Sequence, residues 1–230
     1  MAKTEVNYTK FGAPFGTLYV AYTGIIVRMT SLDVDELAFK RECEELLGVE
    51  PRYSRQAPVG LTRAVLAFLD GMEPFSGSLD LSGVSEFRQR ALRKAMDIRR
   101  GEVRPYRWIA HAIGMPGAAR AVGTAMATNP IPILIPCHRV VRADYQIGEY
   151  GCGGPEKKRE ILRYEGVDVD YLESLGRQGV RFQGNRATRV FCMPGCHASR
   201  GIDPKDVVLF SSEEQARSGG FQPCEVCRPA

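Results

Sequence analysis

Asn129-Pro-Ile-Pro-Ile-Leu-Ile-Pro-Cys137-His-Arg-Val-Val141 is the stretch from which the rest of the chain can be read. Its prolines stop any helix that reaches it. The apolar run 133–135 then carries Pro136-Cys137-His138-Arg139 out of a buried segment. Free cysteine ionises at about pH 8.5, so little of it is nucleophilic at neutral pH. A neighbouring base corrects this by taking the proton directly or through one water. Adjacent side chains in an extended segment point apart, so the pattern predicts a water relay between Cys137 and His138. The base also needs a partner on its second ring nitrogen, and Glu165 is a candidate. Taken alone, the pattern fits a buried structural cysteine beside an incidental histidine as well.

Working outward, the segment upstream predicts helices. Ser85 caps one that runs to about residue 100 and ends at Gly101, with Phe87, Ala91, Leu92, Ala95 and Ile98 as its apolar stripe. Two short helices follow, over 105–113 and 117–127, separated by a Gly114–Pro116 break with helix-turn-helix spacing. The second is poor in bulky side chains. Downstream lie a glycine-rich loop (148–154) and a helix over 155–164. Charge separates these parts: residues 1–82 carry a net −3, 83–166 a net +7 and 167–230 none. The middle segment therefore presents either a phosphate-facing surface or simply a solvated basic face.

Residues 1–82 predict a small α/β domain. Leu18, Val20 and Tyr22, then Ile25, Val27 and Met29, alternate about a Thr23-Gly24 turn as a β-hairpin does. Asp33 and Glu36 form a capping box for a helix whose buried side holds Leu37, Cys43, Leu46 and Leu47, closed by Gly48. A second helix covers 61–69. The seven cysteines are odd in number and form no regular framework, which argues against a secreted disulfide scaffold. No run of about 18 apolar residues occurs, and the polar start (1–10) does not resemble a secretory signal. A cytoplasmic protein is expected.

After a linker at 171–183, the tail (184–230) carries its own signature. Cys192-x3-Cys196 is followed after 27 residues by Cys224-x2-Cys227. Two close thiolate pairs are the usual tetrahedral zinc set. A unit this small buries little core, so the metal would supply much of its folding energy.

The 129–141 stretch closely resembles the active-site signature of the O6-alkylguanine-DNA alkyltransferases. Gly101-Glu-Val-Arg-Pro-Tyr106, Ala118-Ala-Arg120-Ala-Val-Gly123, Ile147-Gly-Glu-Tyr150 and Glu165-Gly166 fall in the family's order. The resemblance is strong over 83–166 and only general over 1–82. It implies a ribonuclease-H-like α/β domain (1–82), a mainly helical winged helix-turn-helix catalytic domain (83–170), and the α/β zinc module behind them. It implies that Cys137 accepts the alkyl group irreversibly and that His138, held by Glu165, activates it through water. Asn129 ties the helix-turn-helix to the active-site turn, and Tyr106 helps protonate the leaving guanine. Arg120 fills the gap left by the rotated nucleotide, while Val140, Tyr150 and Gly151 line the guanine pocket. Arg139 is assigned to the DNA side with them. The partner implied is double-stranded DNA bound through its minor groove, by a monomer.

These roles make physical sense. A stacked base is out of reach of an in-line thiolate, so it must flip out. A helix about 10–12 Å across enters a groove about 6 Å wide only if its side chains are small. Some positions depart from the pattern. The loop after Tyr150 is one residue longer than usual, so either Lys157 or Lys158 matches the family's lysine, and Cys152 is an extra thiol there. The first domain lacks the zinc-binding residues of some relatives.

Phe191-Cys-Met-Pro-Gly-Cys196 and Gly220-Phe-Gln-Pro-Cys-Glu-Val-Cys227 resemble the metal-binding domain of the Ada adaptive-response protein, where it precedes the alkyltransferase unit. That resemblance implies one zinc, either structural or holding a second methyl acceptor, Cys192, which would take a methyl from a DNA phosphotriester. Arg186, Arg189 and Arg200 would then hold neighbouring phosphates. Two other classes compete: a non-catalytic damage-recognition protein and a zinc-dependent DNA-binding regulator.

Overall fold

The computed structural model describes residues 5–72 and 74–229, so the first residues of the polar N-terminal stretch lie outside it. Three strands, β1 (Asn7–Ala13), β2 (Gly16–Thr23) and β3 (Ile26–Leu32), form an antiparallel meander. The hairpin turns at Gly24-Ile25, one residue later than expected: Thr23 pairs with Ile26, Gly24 has φ 58°, and Ile25 is exposed in the turn and not part of the strand's alternation. Helix α1 (Glu36–Leu47), β4 (Arg52–Tyr53), α2 (Val59–Leu69) and β5 (Ser78–Leu79) complete the unit, with sheet order β4-β1-β2-β3-β5.

The start of α1 differs from the sequence reading. Its cap is Asp35, which accepts from the Ala38 amide at 2.8 Å. Asp33 sits at φ 57° ahead of the helix, and Glu36 is drawn across the sheet to Lys10 at 2.6 Å. The buried face is Phe39 and Cys43, packed on Tyr8 and Tyr19, whereas Leu37 and Leu46 are exposed.

The middle unit begins with α3 (Glu86–Ala95), which stops short of Gly101. Ile98 still enters the core from the turn that follows. Next come β6 (Arg104–Pro105), α4 (Tyr106–Ala112), α5 (Ala119–Ala127), β7 (Val140–Val141) and α6 (Gly154–Tyr164). Gly114, at φ 75°, makes the turn between α4 and α5 possible. Strands β6 and β7 pair in parallel and set the active-site turn against α4.

The linker expected over 171–183 is not one. Helix α7 (Val169–Arg177) fills much of it and buries Val169, Leu172 and Leu175. It lies so close to the 142–146 turn that a Cβ on Gly176 would fall 1.8 Å from the Asp144 carbonyl. The chain then enters β8 (Phe182–Asn185), β9 (Val190–Cys192), β10 (Val207–Phe210), α8 (Glu213–Ser218) and β11 (Gln222–Pro223), with sheet order β10-β8-β9-β11.

This last unit is docked on the middle one. Trp108 donates its indole N–H to the Cys227 carbonyl at 2.6 Å. Glu102, buried and paired with Arg104, accepts from the His197 amide at 2.6 Å and meets its Nδ1 at 2.5 Å. Arg200 is tied to the Gly101 carbonyl and so takes part in the docking. One hydrophobic core runs from Leu18 through Leu92 and Ile135 to Phe191 and Phe221. Among the described residues no helix is long and apolar enough to cross a membrane.

Candidate active site

The turn after α5 is built on Asn129. Its Oδ1 accepts from the Ile131 amide at 3.0 Å, and its Nδ2 donates to the Ile135 carbonyl and to Cys137 Sγ, each at 3.1 Å. The N-terminal unit braces the same turn: Thr30 gives its amide to the Pro130 carbonyl at 3.0 Å and its hydroxyl to the Pro132 carbonyl at 2.6 Å. Between these anchors Ile133 is held at φ 72°, a strained conformation for a buried β-branched residue. Its neighbours over-determine it, and the result is a fixed position for Cys137.

Cys137-His138-Arg139 form one 3₁₀ turn, not the extended segment expected. His138 Nε2 lies 3.0 Å from Glu165 Oε1. A carboxylate only accepts, so Nε2 carries the proton and Nδ1 presents its lone pair. Nδ1 is buried, with no hydrogen-bond partner among the described residues. No side-chain hydrogen bond among them joins the His138 ring to the Cys137 sulfur, an arrangement suited to a one-water relay.

Burial raises the Cys137 thiol above its ordinary range, opposed by the Asn129 hydrogen bond and the Lys158 ammonium. Burial likewise pushes His138 down, keeping it neutral, while Glu165 opposes. Burial alone would raise Glu165, but His138 and Arg139 outweigh it and hold the carboxyl at about 2. Lys158 is 1% exposed, donates to the Val140 carbonyl at 2.6 Å, and is pushed by burial down to about 8. Lys157 instead turns to Phe15 and Asp33, so Lys158 is the loop lysine at the site.

Cys137 forms part of the wall between two cavities. One, of about 590 Å³, is bordered by Tyr106, Arg120, Met126, Tyr150 and Gly151. The other, of about 420 Å³, lies towards β3 and includes Cys152. A Cβ on Gly151 would sit 2.5 Å from the Ala127 carbonyl, so only glycine fits between the loop and α5. Burial keeps Tyr106 and Tyr150 protonated by raising both.

Two sequence assignments change. Arg139 is 2% exposed; it grips Glu165 through Nε and Nη2 (2.9 and 2.7 Å) and the Ile98 carbonyl through Nη1 (2.6 Å). It cannot reach DNA and instead fixes the carboxylate that orients His138. The Val140 side chain belongs to the core and does not border the cavity; its carbonyl is engaged by Lys158. Lys158 itself stood in the sequence only as one of two alternatives.

A pH prediction follows from Glu165. Its carboxyl is lowered from 4.5 to about 2, so it stabilises the fold fully above pH 4.5 and loses that contribution as pH falls through 2. Glu165→Gln should therefore lower Tm at pH 7 and lose less additional stability on acidification than the parent. Thermal melts from pH 7 to pH 3 check this, and parallel curves would contradict it.

The tail forms a second site. The sulfurs of Cys192, Cys196, Cys224 and Cys227 lie within 4.8 Å of one another, and all four residues are buried. A tetrahedron with Zn–S of about 2.3 Å has edges of about 3.8 Å, so the set fits zinc. The Met193 amide donates to Cys227 Sγ at 3.4 Å, favouring its thiolate. One zinc belongs to this C-terminal region.

A nucleophilic cysteine on a rigid turn, bordering a cavity beside a helix of small residues that carries Arg120, defines a protein-cysteine group acceptor. The comparisons name its kind. The family model for the 6-O-methylguanine DNA methyltransferase DNA-binding domain matches residues 86–167, and that for the metal-binding domain of Ada matches 177–230. The methylated-DNA–protein-cysteine methyltransferase of Mycobacterium bovis is 36% identical over 166 residues, covering 70% of this chain and 92% of that protein. The Rattus norvegicus protein of the same name is 50% identical over 76 residues, covering 33% of this chain and 36% of that protein. The crystal structure of Mycobacterium tuberculosis OGT in complex with DNA superposes with a TM-score of 0.59 at 33% identity, covering 72% of this chain and 98% of that one. The chain belongs to the methylated-DNA–protein-cysteine methyltransferase family.

Proposed function

We propose that this protein repairs DNA by moving the alkyl group of O6-alkylguanine onto Cys137, once per molecule. The observation that carries the reading is the placement of Cys137. Its sulfur is buried, receives the Asn129 hydrogen bond and faces the Lys158 charge, while its residue borders the Arg120 cavity.

The Cys137 proton passes through water to His138 Nδ1. The thiolate attacks the alkyl carbon and forms an S–C bond as the C–O6 bond breaks. The electron pair moves to O6 and into the purine ring; Tyr106 hydrogen-bonds the ring and relays a proton to it, the phenol being reprotonated from water as His138 returns its proton to solvent. No group in the site breaks the thioether that remains. The fixed turn supplies orientation, which is the largest contribution a rigid site offers.

Helices α4 and α5, with the turn at Gly114, support the winged helix-turn-helix reading of this unit. Arg120, Ala121, Thr124 and Ala127 form the exposed face of α5, small enough for a minor groove, with Arg120 placed to enter the duplex of an everted guanine. The sheet of the first unit supports a ribonuclease-H-like domain over 1–82, and the two family matches, over 86–167 and 177–230, support one division near 83 and a second between 167 and 177, earlier than the 184 expected from the sequence. A single chain supplies the whole site, consistent with action as a monomer.

Arg120→Ala should slow reaction with alkylated duplex by at least tenfold while leaving reaction with free alkylated guanine base near the parental rate, because free base needs no eversion. Equal losses on both substrates would assign Arg120 to the pocket or the fold.

For the zinc module we favour a structural metal. Its four cysteines are buried around one point, and the unit they hold is docked on the middle one through Trp108 and Glu102.

A further inference from the structure

Arg181 lies just before β8, on the zinc-module side of the chain, yet it borders the Cys137 cavity. Arg107, next to Tyr106 on α4, borders the same cavity from the catalytic side. Its guanidinium lies 5.9 Å from the centre of the Phe182 ring, so it stands at the junction of the two units. Tyr145, fully buried at φ 57°, is wedged beside them and donates its hydroxyl to the Arg181 carbonyl at 3.0 Å.

Neither arginine has a carboxylate partner among the described residues. Arg181 Nη1 bonds only the carbonyls of Gly176 (3.3 Å) and Val180 (2.9 Å). Arg107 Nε and Nη2 are buried without any hydrogen bond. Nearby arginines are treated differently: Arg104 is paired with Glu102, Arg139 with Glu165 and Arg142 with Asp144. The same cavity is bordered by Asp144, which Arg142 holds, and by Glu149, and neither forms an ion pair with Arg107 or Arg181 among the described residues. A partly desolvated guanidinium without an anion is costly, and an anion that both arginines engage removes that penalty. Guanidinium groups suit phosphate in particular, through forked N–H donors.

We propose that Arg107 and Arg181 form an interdomain clamp for a DNA phosphodiester flanking the everted nucleotide. This rests on eversion of the alkylguanine into the Cys137 cavity. An everted nucleotide brings its own backbone to the rim of the cavity that holds its base, and the clamp stands on that rim. The zinc module thereby takes part in guanine repair, contributing Arg181 through the strand it anchors.

The test uses the full-length zinc-loaded protein with Arg107→Gln, Arg181→Gln and Arg181→Lys. Duplexes carry one O6-methylguanine and a single neutral methylphosphonate linkage moved stepwise past the lesion. The parent should lose about tenfold in affinity when the linkage at the clamp is neutral. Arg181→Gln should lose about tenfold on the ordinary duplex and nothing more at that linkage, with its salt slope reduced by about one. Arg181→Lys should recover part of the loss. Zinc content and reaction with free alkylated base should match the parent. The proposal is overturned if both glutamine variants bind the ordinary duplex like the parent, if the sensitive linkage stays sensitive in Arg181→Gln, or if free-base reaction falls equally. Failure of the eversion reading would show separately, as equal losses on both substrates for Arg120→Ala in an otherwise intact protein.

Discussion

Replacing Cys137 by alanine is expected to abolish alkyl transfer from O6-methylguanine, with duplex binding within a few-fold of the parent. The nucleophile is one sulfur atom, while affinity comes from phosphate contacts spread over the basic middle segment. Alanine leaves the Asn129 brackets to Ile131 and Ile135 in place, so the turn should survive. Intact-protein mass spectrometry after incubation with the lesion should show one added methyl on the parent and none on the variant. A methylated variant would displace Cys137 from its role. The same variant tests the tail. Given DNA whose only lesions are methylphosphotriesters, it should remain unmodified at Cys192 with zinc retained. A methyl mapped to Cys192 would make that zinc thiolate a second acceptor.

Stripping the zinc should unfold the C-terminal unit and carry Trp108 into water. The unit's strands are two to four residues long, and its core is a handful of phenylalanines around the sulfurs. Structural zinc of this kind supplies roughly 10–16 kcal/mol, more than such a unit has to spare. Trp108 is the sole tryptophan, is 9% exposed, and loses its Cys227 carbonyl partner when the module lets go. Chelation should therefore shift its fluorescence to longer wavelength, in step with zinc release followed by a metal indicator. Reaction with free alkylated base should persist in part, since Asn129, Cys137, His138 and Glu165 lie outside the tail. An unmoved emission spectrum after complete zinc loss would contradict the docked arrangement.

What the sequence disclosed was chemistry concentrated in short spans. Cys137 beside His138, the four zinc cysteines, the hairpin about Gly24 (its turn off by one residue) and the break between α4 and α5 are each legible within a few residues. What it hid depends on distant partners. Arg139 looks like a surface cation until Glu165, 26 positions on, takes it inward. Helix α7 was masked by its polar composition: Val169, Leu172 and Leu175 recur every three residues, but aspartates, glycines and arginines around them suggested a linker. The cap of α1 slipped from Asp33 to Asp35 because Glu36 prefers Lys10 and Tyr8 across the sheet to the helix terminus. The docking of Glu102 and Trp108 on the tail had no local signature, since each reads as an ordinary residue of its own segment.

The hydrophobic core that passes without interruption through all three units limits how freely they can be exchanged. In a chain of beads on a string, a module can be excised, permuted or replaced as a cassette. Here, cutting between α7 and β8 would leave Trp108 and Glu102 facing solvent on one side and the sulfur cage bare on the other. The two parts share a core and a docking surface, so a substitution at that surface is expected to lower the melting temperature of both.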